Sequence, residues 1–194
     1  MNIGAWNYYE SLNKDNYLFL NKDAGIGDDL LLPFNELYSH GKKIGVNFMT
    51  LDVIENFGNM DGFIFFDFPN LKNSYVKKVF RLDTPKYLII FEPENIKPDN
   101  WLLENHELFN KIFTWNDEII DNKKYFKINF SYLFPQSINK ALLKQKKLCT
   151  LIAGNSRNNH PLELYSKRVE AIRWFEESHP EEFDFYGVGW NEHT

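Results

Sequence analysis

The segment Gly62-Phe63-Ile64-Phe65-Phe66-Asp67-Phe68 constrains the fold more than any other part of the chain. Its apolar run Phe63–Phe66 is far too short to cross a bilayer. It also lacks the polar alternation of a strand with one wet face. A short, almost wholly apolar strand belongs in the middle of a parallel sheet, where helices cover both faces.

The flanking sequence supports that reading. Short apolar runs alternate with amphipathic stretches, which is the pattern of an α/β protein. Strands are expected at Tyr17–Leu20, Ile44–Met49, Gly62–Phe68, Tyr87–Phe91, Lys111–Trp115 and Tyr125–Tyr132, the last half-exposed by its period-two alternation. Helical spacing runs from Leu30 to His40, with Gly41 in the terminating C′ role. Shorter helical pieces are expected at Asp52–Phe57 and around Asn100–Leu108.

The stretch Gln136–Lys147 holds four lysines and two glutamines and reads as a connector. Beyond it lies one β-α-β unit: a strand Leu148–Ala153, a polar loop to His160, a helix from Pro161 to Ser178 and a strand Phe183–Tyr186. Pro161 suits a first helical position. The expected organisation is therefore residues 1–135, a linker 136–147, and 148–194 as the unfinished start of a second domain. One crossover cannot bury both faces of its own sheet, so the reading at this stage is a fragment of something longer.

Composition narrows the function. The net charge of −5, without a block of like charges, disfavours nucleic acid as the partner. The lone Cys149 excludes an internal disulfide and a cysteine zinc site, and its apolar surroundings suggest a buried inert thiol. No metal site is readable, and the histidines His106, His160 and His193 lack ligand spacing. Residues 1–10 do not show a basic segment followed by an apolar one, so the expected location is cytoplasmic, with at most peripheral contact at the inner membrane face. Aromatic residues reach 17%, enough for core filling and for stacking on a sugar face.

Three segments are candidates for chemistry. Gly25-Ile-Gly-Asp28-Asp29 is expected between a strand and a helix, as a tight turn with acidic capping or as a substrate-facing loop. Two carboxylates there would repel a phosphate. Phe91-Glu92-Pro93-Glu94 leaves a strand's carboxyl end in a proline-stiffened loop, where a glutamate is either solvated or placed as a general base. Asn155–His160 leads towards a helix bearing Arg168, a polar loop suited to anions or to ordinary turn chemistry.

The ordered set is similar to a known family. A glutamate-proline loop is followed by Phe113-Thr-Trp-Asn-Asp117, Tyr132-Leu-Phe-Pro135, a basic linker and a strand ending Ala153-Gly154-Asn155. Ser166-Lys-Arg-Val169 and Phe183-Asp-Phe-Tyr-Gly187 complete it. The set resembles the glycosyltransferase family 10 fucosyltransferases over most of the chain, most sharply over its last fifty or so residues. That resemblance implies a GT-B-like fold: a Rossmann-like acceptor domain, then an incomplete Rossmann-like domain for the GDP-sugar donor. It implies inverting transfer of fucose from GDP-fucose to a hydroxyl of a glycan acceptor, with no cofactor required. The family's base falls on Glu92, with Glu94 second, and its donor residues on Asn155, Arg168, Tyr186 and Gly187. Asp28 and Asp29 would lie on the acceptor side.

The family's downstream "F-E-N … Y-x-T-E-K" stretch does not occur in this sequence. GDP-fucose binding no tighter than millimolar is therefore expected, about −4 kcal/mol or weaker. Two other readings stand: a non-catalytic carbohydrate-binding remnant, and a heptosyltransferase-like GT-B enzyme using the Gly25–Pro33 loop.

Overall fold

Six short segments pair in parallel, in the order β2-β1-β3-β4-β5-β6. They are β1 (Asn2–Asn7), β2 (Asn47–Thr50), β3 (Gly62–Phe66), β4 (Lys86–Ile90), β5 (Lys111–Thr114) and β6 (Tyr125–Lys127). The computed structural model describes residues 1–25, 29–130, 137 and 146–190. Two compact units divide the chain, Met1–Phe134 and Pro135–Thr194.

Alternation along the central strands builds the core of the first unit. Phe63 and Phe65 of β3 and Leu88 and Ile90 of β4 face one side, packing with Val76 and Val79 of α3 (Ser74–Val79). Ile64, Phe66 and Ile89 face the other side, towards Leu18 and Phe19 of α1 (Tyr17–Leu20) and Phe34 and Tyr38 of α2 (Leu32–Lys43). Both faces of β3 are thus covered, which explains its unbroken apolar sequence. Full burial of each such phenylalanine contributes about 1.5–3 kcal/mol.

The first strand differs from expectation. It is Asn2–Asn7, and Tyr17–Leu20 is a helical turn. β1 escapes apolar patterning because it carries Gly4, where an added Cβ would stand 2.6 Å from Phe63 Cδ1 and 3.0 Å from Ile54 Cδ1. Close packing here requires the absence of a side chain. Asp15 and Asn16 adopt left-handed backbone (φ 54° and 61°), which turns the chain into α1. Asn16 is held by Thr50, whose backbone N–H donates to Asn16 Oδ1 at 2.7 Å.

Gly41 does not end α2. It lies buried inside the helix, where a Cβ would meet Phe48 Cε2 at 2.7 Å, and Gly45, at φ +77°, takes the terminating role. The piece expected at Asp52–Phe57 is two short 3-10 turns, Leu51–Val53 and Phe57–Asn59. The region around Asn100–Leu108 holds a 3-10 turn, Pro98–Trp101, and α4 (Leu103–His106). The edge strand β6 spans only three residues.

The second unit contains β7 (Cys149–Ile152) and β8 (Phe183–Tyr186), paired in parallel and joined through α5 (Tyr165–Ser178). Phe175 of α5 stacks on Phe183 of β8, with centroids 5.0 Å apart. Pro161 is not a helix N1 residue; it sits in a turn ahead of α5. Cys149 is half-buried rather than enclosed. Most of the expected connector Gln136–Lys147 lies outside the described residues. No helix among the described residues is long and apolar enough to cross a membrane.

Candidate functional site at the carboxyl ends of the parallel strands

Strand order reverses between β1 and β3, because β2 lies on one side of β1 and the later strands continue on the other. Loops leaving such neighbours part in opposite directions and open a crevice above the carboxyl ends of the strands, where ligands of α/β sheets bind. In this protein Asn7, Tyr8 and Tyr9 leave β1, Asp67 leaves β3, and Phe91 and Glu92 leave β4.

Asp67 organises the group. It is 3% exposed and holds left-handed backbone at φ +60°. Its Oδ1 accepts from the backbone N–H of Phe91 at 2.8 Å, from that of Glu92 at 3.0 Å and from Asn100 Nδ2 at 2.6 Å. Asn100, fully buried, also donates to the Glu92 carbonyl at 3.2 Å and accepts from the Phe68 N–H at 2.7 Å. Trp101 Nε1 donates to the same Glu92 carbonyl at 3.1 Å, and Trp115 Nε1 to the Phe91 carbonyl at 3.1 Å. The backbone under Glu92 is therefore pinned through both its N–H and its C=O.

Behind Asn100 the network continues to His106, whose Nε2 lies 2.7 Å from the Asn100 carbonyl and whose Nδ1 lies 3.0 Å from Tyr125 Oη. A carbonyl can only accept, so Nε2 carries the proton and donates. In the neutral ring Nδ1 then accepts from Tyr125. His106 serves here as a buried strut.

The Glu92 side chain is half-buried, and Tyr9 Oη donates to its Oε1 at 3.4 Å. Burial raises the proton affinity of this carboxyl above its ordinary value, and the Asp67 charge raises it further; the Tyr9 hydrogen bond opposes both. Asp67 is likewise pushed up by burial, against the bonds from Glu92, Phe91 and Asn100 and the charge of Lys97. The Tyr8 hydroxyl is pushed far up, by burial first and then by neighbouring Tyr9, Glu92 and Asp67. Tyr8 and Tyr9 lie with ring centroids 4.0 Å apart, and Tyr9 is 51% exposed. Lys97 Nζ stands 5.7 Å from the Tyr8 ring centroid and pairs with Asp99 at 2.7 Å. The arrangement offers a carboxylate with raised proton affinity beside an exposed aromatic ring.

The other expected acceptor-side residues are placed differently. Glu94 is exposed in the turn Pro93–Lys97. Asp28 lies outside the described residues. Asp29 is exposed, and its N–H is bonded to Asp23 Oδ1 at 3.1 Å. Its loop follows the helical turn α1 rather than a strand, so the expected strand-to-helix position is corrected. Sequence reading missed Tyr8, Tyr9, Asp67 and Asn100. A usable signal existed for Asp67 alone, as the one charge inside the apolar segment Gly62–Phe68.

In the second unit, Asn155, Arg168, Tyr186 and Gly187 gather at one end of the β7–β8 pair. Asn155 N–H donates to the Val188 carbonyl at 2.9 Å and Asn155 Nδ2 to the Gly189 carbonyl at 2.9 Å. Arg168 Nη1 donates to the Gly154 carbonyl at 3.3 Å, and its guanidinium lies 5.1 Å from the Tyr165 ring centroid. Gly187 (φ +149°) passes so close to β7 that a Cβ would fall 1.8 Å from the Ala153 carbonyl oxygen. Tyr186 is exposed. At the start of α5, Glu163 accepts from the Ser166 N–H at 3.0 Å, so a carboxylate already occupies that donor. The bond to Ser166 holds the Glu163 carboxyl below its ordinary range. Among the described residues no group of three or more His, Cys, Asp or Glu stands ready to hold a metal ion.

Comparisons with protein-family models, curated proteins and solved structures found no match.

Proposed function

We propose that this chain is part of an inverting glycosyltransferase of the family 10 fucosyltransferase type, with Glu92 as the general base. A single observation carries the reading: a half-buried carboxyl of raised proton affinity follows β4, next to the strand-order reversal between β1 and β3, and reaches Tyr9 after β1 from a backbone pinned from both sides. General-base work asks for that combination of rigidity and tuned proton affinity. The base takes a proton from an acceptor hydroxyl as its oxygen attacks the anomeric carbon of GDP-fucose. The C–O bond to the diphosphate breaks with its electron pair, and GDP leaves. The exposed Tyr9 ring supplies an apolar surface for a pyranose.

A second reading, saccharide binding without turnover, is favoured by the donor-side residues. Arg168 is engaged with the Gly154 carbonyl and Glu163 occupies the Ser166 N–H, which weakens the attraction for a diphosphate.

The test combines the chain with GDP-fucose and galactose- or N-acetylglucosamine-terminated acceptors, following product by mass spectrometry and acceptor binding by NMR. Transfer that is abolished in Glu92→Gln supports the first reading. Acceptor perturbing Tyr8, Tyr9 and Glu92 without transfer supports the second. No saccharide contact at these residues overturns both.

A further inference from the structure

Asp67 occupies a position where another residue would be cheaper. Left-handed backbone at φ +60° is open to aspartate and asparagine alike, so the difference lies in the buried charge. An asparagine Oδ1 could accept the same three N–H bonds, those of Phe91, Glu92 and Asn100. It would do so without placing a carboxylate in a site that is only 3% exposed. The property that aspartate adds is its charge, which the three donors on Oδ1 favour and burial, the larger influence, opposes. That charge lies directly beneath the Glu92 backbone.

We infer that Asp67 is a positioning residue for Glu92, fixing the Phe91–Glu92 backbone and placing its carboxylate against the Glu92 N–H. The inference rests on the reading of Glu92 as a base. The groups facing Glu92 are Tyr8 and Tyr9 after β1 and Asp67 after β3; Lys97, in the same loop as Glu92, acts on Asp67, stands over the Tyr8 ring and pairs with Asp99. The Asp67 charge raises the proton affinity of Glu92, and the Tyr9 hydroxyl lowers it.

The experiment uses the full chain with carbon-13 glutamate carboxyls and nitrogen-15 amides, the Glu92 signal being assigned with Glu92→Gln. Asp67→Asn keeps the acceptor oxygen and removes the charge. It should leave Phe91 and Glu92 amide exchange slow and move the Glu92 titration midpoint down. Asp67→Ala removes both and should also lose the slow exchange of those two amides. An unchanged Glu92 midpoint in Asp67→Asn overturns the assignment, whether or not Asp67→Ala folds. Unchanged amide exchange in a folded Asp67→Ala overturns it as well. Acceptor saccharides failing to touch Tyr8, Tyr9 or Glu92 in the unaltered chain would instead remove the proposed function, with the titration result standing by itself.

Discussion

Tyr9 and Glu92 lie 83 residues apart in the sequence, and the Tyr9 hydroxyl donates to the Glu92 carboxylate at 3.4 Å. One leaves β1 and the other β4, with β3 between them, so the contact exists only because three parallel strands end together. This hydrogen bond stabilises the ionised carboxylate, against burial and the Asp67 charge. Tyr9→Phe should therefore move the Glu92 midpoint upward. Carbon-13 NMR of the carboxyl reads the shift, and a downward movement would contradict it.

Glu92→Gln should separate chemistry from stability. The folded chain holds the Glu92 proton more tightly than the ordinary carboxyl value of 4.5. The resulting stability is fully present below the unfolded value and is lost as pH rises through the folded one. Glutamine lacks this pH-dependent loss, so the variant should gain on the parent chain in melting temperature as pH rises from about 4 towards 7. Any transfer should fall by about 10²–10⁴-fold. Thermal melts at several pH values check the first part, and a parallel pH dependence in both proteins would contradict it.

Gly4→Ala should destabilise the first unit. Its Cβ would stand 2.6 Å from Phe63 Cδ1 and 3.0 Å from Ile54 Cδ1, within a core where Phe63 is fully buried. Overpacking of this kind costs about 1–3 kcal/mol. Urea unfolding should show a lower midpoint, and an unchanged one would mean that the sheet can spread locally.

Glu163→Ala should act in two opposite ways on the second unit. Loss of the bond to the Ser166 N–H should lower helix stability. Removal of the carboxylate also frees an N–H donor near Arg168, so GDP-fucose should bind more tightly than to the parent chain. For the parent, a Kd in the millimolar range or weaker is expected, about −4 kcal/mol. Calorimetric titration compares the two, and equal affinities would exclude the start of α5 as part of a nucleotide site.

The α/β class, the covered central strand and the β-α-β unit of the last fifty or so residues were legible from apolar periodicity. These features follow from local pattern, since burial on both faces demands Phe63–Phe66 and a crossover demands an amphipathic helix. Glu92 was also legible, as a carboxylate immediately after an apolar strand. The tertiary structure alone decided the rest. β1 carries Gly4 because of a neighbour 59 residues away, so its strand character is written in Phe63 rather than in its own side chains. Tyr17–Leu20 has strand-like composition, yet it folds as a helical turn because Asp15 and Asn16 reverse the backbone and Leu18 and Phe19 find a sheet face to cover. Asp67 interrupts an apolar run, and nothing local reveals what its charge meets. Its partners come from Phe91, Glu92 and Asn100, and hydrogen bonds over 24 to 33 residues are fixed by strand order, which periodicity does not encode.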